Sequence, residues 1–84
     1  MSERFAENLV QLRQAAGYSQ EELAFRAAIH RTQVSLLESG NRMPRVETLV
    51  KLAGALEVTP NAILEGIVWK PIIRTVGGLE VSAN

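Results

Sequence analysis

Apolar residues recur every three or four positions through the first 65 residues, which is the spacing of one face of an α-helix. In the first such segment the repeating positions are Phe5, Leu9, Leu12 and Ala16. Glycine, proline and capping residues interrupt the pattern and divide the stretch into five predicted helices. We expect helices at about residues 2–16, 19–27, 30–39, 46–56 and 60–65, which predicts an all-α fold.

Several residues at the predicted helix ends are of types that start or stop helices. Ser2 is expected to cap the first helix, and Ser19 with Glu22 fits a capping box at the start of the second. Gly17 and Gly40 are expected to end helices one and three, because glycine readily adopts the left-handed conformation found there.

The second and third helices are expected to be joined by a tight turn at Ala28 and Ile29. Alanine adopts a left-handed conformation only at a cost of about 1 kcal/mol or more, so we expect slight strain at Ala28. On a helical wheel, the inner side of helix three carries His30, Val34, Leu37 and Glu38. The opposite side carries Thr32, Ser35, Leu36 and Ser39, with Arg31 and Gln33 on the flanks.

The fourth predicted helix has a wide apolar face, formed by Val46, Leu49, Leu52, Ala53 and Leu56. Thr59-Pro60 then marks the start of helix five, since a cap residue followed by proline is a common helix opening.

The pattern changes in residues 66–84, which we call the tail. Its apolar residues are mostly large or β-branched, and Gly77-Gly78 between two such runs predicts a β-hairpin. A lone hairpin is marginal in water, so this one is expected either to pack on its own helices or to pair with a second chain. We therefore divide the chain into residues 1–65, the helical domain, and residues 66–84, a packing or dimerisation segment.

The composition narrows the functional classes. Eighty-four residues predict one domain, and 46% apolar content fits a globular fold. The chain has no cysteine and one histidine, which argues against a metal site. It lacks an apolar run of the roughly 20 residues that span a membrane and the features of a signal peptide. We expect a cytoplasmic protein without a membrane partner or cofactor.

The charge is balanced overall but uneven along the chain. Nine basic and nine acidic residues give a formal net charge of zero, which argues against indiscriminate nucleic-acid binding. From residue 31 to residue 51, four basic and two acidic residues leave a local excess of two positive charges. This excess indicates either a nucleic-acid-facing segment or an ordinary mixed surface.

Several motifs occur together at specific spacings. They are Ser19-Gln20-Glu21-Glu22-Leu23-Ala24, Arg31-Thr32-Gln33-Val34-Ser35-Leu36-Leu37-Glu38-Ser39-Gly40-Asn41-Arg42, Pro44, Glu47-Thr48-Leu49-Val50-Lys51-Leu52-Ala53 and Leu56-Glu57-Val58-Thr59-Pro60. In this combination the chain resembles the Cro/C1-type (XRE family) helix-turn-helix domain over about residues 5–65. The resemblance implies a compact, lambda-repressor-like five-helix bundle. It also implies a prokaryotic transcription regulator that binds operator DNA as a homodimer.

Helix three is the expected reading element, because the major groove admits one α-helix with short polar side chains. The expected base contacts are Arg31, Thr32, Gln33, Ser35 and Leu36. Gln33 suits adenine, Arg31 suits guanine or a phosphate, and Leu36 suits a thymine methyl. The alternatives are a solvated polar face and a Leu36 that packs on a neighbouring helix or partner.

A second group of residues is expected to contact phosphates, which set affinity and register without reading sequence. This group is Ser19, Gln20, His30, Asn41, Arg42 and Arg45. For His30, capping of helix three or a place at the edge of the interface remains open. The family resemblance also implies that Arg13 pairs with Glu38, the alternative being a loose surface pair.

Two other functional classes are alternatives to DNA binding. A protein-docking module or an antitoxin component with the same fold remains open because of the zero net charge and the apolar tail. An enzyme is not expected, since the sequence offers no nucleophile–base pair, phosphate-binding glycine loop or metal-ligand spacing. In the tail, the residues expected to support dimerisation are Trp69, Ile72, Ile73 and Val76.

Overall fold

The structure is a computed structural model that describes the backbone of residues 1–76 and 79–82, and side chains as far as residue 72. Its helices are α1 (Ser2–Ala16), α2 (Gln20–Ala27), α3 (Arg31–Glu38), α4 (Val46–Leu56) and α5 (Pro60–Ile63). Two short strands follow, β1 (Ile73–Val76) and β2 (Leu79–Ser82), and they pair antiparallel. The predicted helical class is therefore confirmed, with a hairpin in the tail. The predicted turn at Gly77-Gly78 lies outside the described residues.

Each of the five helices contributes to one core. The largest fully buried side chains are Phe5 and Leu9 of α1, Leu23 of α2, Val34 of α3, Leu52 of α4 and Ile63 of α5. Together they form a single cluster, against which half-buried residues such as Leu12 and Ile29 pack. Because α3 buries only one side in this cluster, its other side lies at the surface.

The helix ends follow the expected chemistry at most positions. Gly17 ends α1 with φ of 77°, and the Ser19 Oγ accepts a hydrogen bond from the Glu22 amide at 3.0 Å. Only this half of the capping box is seen, since the Glu22 carboxylate pairs with Arg26 instead. Ala28 has φ of 55° and ψ of 43°, the left-handed conformation expected for the tight turn.

The sequence-based role of Ser2 was wrong. Met1 occupies the cap position of α1, and no side chain caps that end. The Ser2 hydroxyl instead donates to the Gly40 carbonyl at 2.7 Å. This bond ties the start of α1 to the chain that leaves α3, so Ser2 supports the position of α3.

Two further expectations about the helices need correction. The helix α5 ends at Ile63 rather than at residue 65, because Leu64 leaves helical geometry with φ of −91° and ψ of 6°. Val46 is exposed rather than part of the apolar face of α4. As the first residue of α4, it lies beyond the half of the helix that carries the buried Leu52, Ala53 and Leu56.

The tail leaves the bundle at Gly66 and Ile67. Ile67 is half-buried and packs against the core, whereas residues 68–72 are all exposed. Within the side chains that the structure describes, packing of the tail on its own helices therefore stops at Ile67.

Candidate nucleic-acid interface

The helix α3 is held by its apolar side and free on its polar side. Val34 and Leu37 are buried in the core. Thr32, Gln33 and Ser35 are exposed. Leu36 keeps 44% of its surface exposed, so packing on a neighbouring helix does not explain this residue within the chain. The result is a surface row of short polar side chains interrupted by one leucine.

A hydrogen-bonded network fixes α3 at its C-terminal end. Arg13 binds the Glu38 carboxylate twice, from Nε to Oε2 at 2.7 Å and from Nη2 to Oε1 at 3.0 Å. The Arg13 Nη1 also donates to the Tyr18 carbonyl at 2.8 Å. The side chains are 15% and 6% exposed, so this is a largely buried bidentate pair rather than a loose surface pair.

The same network involves the first residue of α2. The Gln20 Nε2 donates to the Glu38 Oε1 at 2.9 Å, which the sequence did not indicate. One of the two amide hydrogens of Gln20 is thereby committed inside the protein, and one remains for a phosphate. Ser19 is exposed beside it, with its hydroxyl oxygen capping α2. The network therefore joins α1, α2 and α3.

The bidentate hydrogen bond that Arg13 donates to Glu38 raises the pKa of the Arg13 guanidinium, partial burial lowers it, and the Glu38 charge adds to the rise. The net direction is upward from an already high value. Arg13 therefore remains charged through the whole neutral range.

His30 is the N-cap of α3. Its Nδ1 accepts a hydrogen bond from the Thr32 amide at 3.1 Å and also contacts the Thr32 hydroxyl. The imidazole is exposed, so the expected place of His30 on the inner side of the helix was wrong. The reason is that a cap residue has extended rather than helical backbone geometry, to which a helical wheel does not apply.

Arg31 begins α3 and reaches back to α2. Its Nη1 lies 3.3 Å from the Glu21 Oε1, and both side chains are largely exposed. Exposed pairs of this kind contribute about 0–1 kcal/mol, so a phosphate or a guanine edge can replace Glu21 at little cost.

A groove of about 740 Å³ lies between α3 and the start of α4. Its lining includes Gln33 and Leu36 of α3 and the expected phosphate ligands Arg42 and Arg45. Lys51 also lines this groove and pairs with Glu47 at 3.2 Å. The sequence placed Lys51 in the basic segment but did not assign it to the interface. Lys51 lies nine residues after Arg42, and its position becomes relevant only once α4 folds against α3.

Asn41, another predicted phosphate ligand, lies in the loop between α3 and α4, and Arg45 ends that loop. Asn41 is exposed, and its amide donates to the Ser39 Oγ at 3.4 Å. Arg45 is the N-cap of α4 and makes no side-chain cap. No side chain caps the first amides of α4. Free amides at a helix start suit a phosphate, here beside Arg42 and Arg45.

The predicted dimerisation residues fall in two groups. Trp69 and Ile72 are 71% and 67% exposed. Ile73 and Val76 form the ends of β1, and their side chains lie outside the described part of the structure.

The described residues form neither a metal-binding cluster nor a membrane-spanning helix. Their single histidine and their glutamates form no group of three that could hold a metal ion. In the same part of the chain, no helix has the length and apolar content needed to cross a membrane.

Known proteins share this architecture. A family model described as helix-turn-helix matches residues 9–63. Control protein C.BamHI of Bacillus amyloliquefaciens is 36% identical over 62 residues, 73% of this chain and 76% of that protein.

Solved structures agree with the sequence match. The restriction-modification controller protein C.AhdI from Aeromonas hydrophila has a TM-score of 0.71 and 37% identity, covering 74% of this chain and 94% of its own. The clp gene regulator ClgR from C. glutamicum has a TM-score of 0.69 and 25% identity, covering 75% and 82%. These relatives are regulators rather than enzymes, and the chain belongs to the Cro/C1-type (XRE) helix-turn-helix family of DNA-binding transcription regulators.

Proposed function

We propose that the protein binds a palindromic operator as a homodimer, with α3 of each copy in the major groove. The observation that carries this proposal is the exposed row Thr32, Gln33, Ser35 and Leu36 on a helix whose opposite side is fixed. A reading helix needs both properties, because base contacts within hydrogen-bond distance require a rigid support.

The proposed base contacts follow from the chemistry of the exposed row. Gln33 can make paired hydrogen bonds to adenine, and Thr32 and Ser35 can bond either donors or acceptors on base edges. Leu36 offers an apolar surface to a thymine methyl. Arg31 is proposed to exchange Glu21 for guanine or for a phosphate beside it.

The proposed phosphate contacts lie on both sides of α3. Ser19 and the free amide hydrogen of Gln20 lie on one side, and Asn41, Arg42 and Arg45 follow α3 on the other. His30 is proposed to contact a phosphate at the edge, through the ring nitrogen that does not cap α3. These contacts would hold the helix in register while α3 reads the sequence.

A second copy is required because one reading helix gives little affinity. Dimeric helix-turn-helix proteins bind half-sites about 34 Å apart, one turn of DNA. We propose that residues 1–65 read DNA while the tail joins the two copies through Trp69, Ile72, Ile73 and Val76. The exposure of Trp69 and Ile72 supports this division of roles.

The regulatory setting is proposed from the relatives. C.BamHI is a control protein and C.AhdI is a restriction-modification controller, so promoters of restriction-modification genes are the first operators to test. We propose that the protein acts in the cytoplasm, where prokaryotic DNA lies.

The test begins with a binding selection on random duplex DNA, followed by fluorescence anisotropy on the selected palindrome. Arg42→Ala should weaken binding to all sequences alike and reduce the salt slope by about 1. Gln33→Ala should relax preference at one base position, by about 1–3 kcal/mol of discrimination. If neither substitution changes operator binding, this placement of α3 is wrong.

Two control variants match these changes in chemistry. Arg26→Ala removes a charge at the far end of α2, and Gln14→Ala removes an exposed amide from α1. Neither residue belongs to the proposed interface. A salt slope that falls as much for Arg26→Ala as for Arg42→Ala would mean that only total charge matters.

The alternative is a docking module or antitoxin component with the same fold. It is favoured by the exposed apolar side chains of Trp69 and Ile72 and by the zero net charge. Binding to bulk DNA at low salt separates the two, because a pure docking module should not show it. An antitoxin component would bind both DNA and a protein partner.

A further inference from the structure

Asn8 is a buried polar residue of α1. Its Nδ2 donates to two carbonyls at the end of α5, those of Ile63 and Glu65, each at 2.8 Å. Carbonyls at a helix C-terminus lack partners within the helix, so a buried amide that satisfies two of them holds that end firmly. Asn8 therefore fixes the last turn of the bundle to α1.

Arg4, one turn earlier on α1, contacts the same segment. We call this segment, residues 63–67, the tail exit, because the chain leaves the bundle there. Its Nε donates to the Glu65 carbonyl at 3.3 Å. The next residue, Gly66, has φ of 76°, and a methyl group there would lie 2.7 Å from the Arg4 Nη2. The close approach of the guanidinium to the backbone at Gly66 adds a contact where the tail begins.

These contacts involve residues 63–66, close to the point where the tail becomes exposed. Ile67 still packs against the core, and residues 68–72 do not. The direction in which the tail leaves is therefore set by residues 63–67, which Asn8 and Arg4 hold against α1.

The helix α1 also holds the reading helix. Arg13 binds Glu38 of α3, nine residues along α1 from Arg4. At 1.5 Å per residue, this separation is roughly 14 Å along one rigid helix. A single helix thus carries both attachments, that of α3 through Arg13 and Ser2 and that of the tail exit through Arg4 and Asn8.

We propose that Asn8 and Arg4 are positioning residues that set the spacing between the two reading helices of the dimer. This inference rests on the proposed function, since it assumes that the tail joins two copies on a palindrome. With the exit held, the two α3 helices have one preferred separation. With the exit released, the link between them behaves as a longer and softer connection, which lowers the advantage of binding two half-sites at once.

The experiment compares three DNA targets for the full-length protein and its variants. They are a single half-site, the selected palindrome, and palindromes with one or two base pairs added or removed at the centre. The variants are Arg4→Ala, which removes an exposed side chain, and Asn8→Ala. The matched control is Gln11→Ala, an exposed amide on the same helix. Half-site affinity reports on folding and reading, whereas only the palindromes report on spacing.

The expected result for the wild type is a palindrome bound about 100-fold more tightly than a half-site, with one preferred spacing. Arg4→Ala and Asn8→Ala should keep half-site affinity within about twofold and lose about tenfold of the palindrome advantage, with a flatter response to spacing. Gln11→Ala should match the wild type.

Two outcomes separate this inference from the function it rests on. If the wild type itself shows no palindrome advantage, the proposed homodimer is wrong. If the wild type shows the advantage and both variants keep the same sharp spacing preference, the positioning role is wrong. Should Asn8→Ala lose half-site binding through unfolding, Arg4→Ala decides the result alone, because its side chain lies at the surface.

Discussion

The bundle and the tail use apolar side chains in opposite ways. In the bundle, Phe5, Leu23 and Leu52 are fully buried. In the tail, Trp69 and Ile72 are mostly exposed. Burial of a large apolar side chain contributes about 1.5–3 kcal/mol to folding, and an exposed one contributes nothing until something covers it. Most large apolar residues before Gly66 therefore serve folding, whereas the exposed Trp69 and Ile72 of the tail are available for association.

The largest loss of stability is expected when a large core side chain is removed. Phe5→Ala should lower the free energy of unfolding by about 3–5 kcal/mol, because it leaves a cavity in the core. Urea denaturation followed by circular dichroism measures the change. Phe25→Ala is the matched control, since Phe25 is 81% exposed on α2 and its loss should cost under about 0.5 kcal/mol. Equal losses for the two variants would contradict the assigned core.

The next largest effect should come from the polar network that supplements the core. Glu38→Ala leaves the Arg13 charge largely buried without its partner, which should cost about 2–3 kcal/mol. Because the pKa of Arg13 is raised, its favourable charge is present throughout the neutral range and is lost only as pH rises through that higher value. Neutral buffers are therefore suitable for the measurement.

Glu22→Ala provides the control for Glu38→Ala. Glu22 pairs with Arg26 at the surface, where both side chains are nearly half exposed. Its removal should cost under about 1 kcal/mol. A thermal melt in which Glu22→Ala is as unstable as Glu38→Ala would show that burial does not distinguish the two pairs.

The helices could be predicted from sequence because periodicity and end signals agreed. The bounds of α1 and α4 match the structure, and Gly17 ends α1 as expected. The exposed side of α3 also followed from the helical wheel. Errors appeared where a position lies at a helix end: a wheel gives directions only for residues with helical geometry, so it misplaced His30 and gave no warning about Val46.

The polar contacts between helices were harder to predict. Asn8 lies three residues after Phe5 and four before Leu12, so the helical period places it beside the apolar stripe, but the pattern does not show which groups its amide meets. Its partners are carbonyls 55 and 57 residues away, which only the folded bundle brings near. Gln20 shows the same limit, because its bond to Glu38 depends on how α2 and α3 cross. Sequence thus indicated which faces are buried, and the fold was needed to show which polar groups meet.

A smaller effect is expected at the turn between α2 and α3, where the bundle stores local strain. Ala28 has φ of 55°, so Ala28→Gly should stabilise the bundle by about 1 kcal/mol. The control is Ala15→Gly in the exposed part of α1, which should destabilise by about 0.5–1 kcal/mol, since glycine there loses more conformational freedom. The two variants should shift the denaturation midpoint in opposite directions. Two losses of stability would show that the turn is unstrained.

The smallest effect on folding is expected in the tail, where a substitution should change association instead. Trp69→Ala should change the unfolding free energy by less than about 0.5 kcal/mol at a protein concentration that keeps the chain monomeric. It should at the same time shift the monomer–dimer equilibrium in analytical ultracentrifugation towards monomer, because the proposed dimer contact would cover Trp69, which is 71% exposed in the single chain. Val46→Ala removes an equally exposed apolar side chain from the bundle and should leave that equilibrium unchanged. A Trp69→Ala variant that dimerises as well as the wild type would move the dimer contact away from this residue. A large loss of stability in the monomer would instead mean that the tail packs on its own helices.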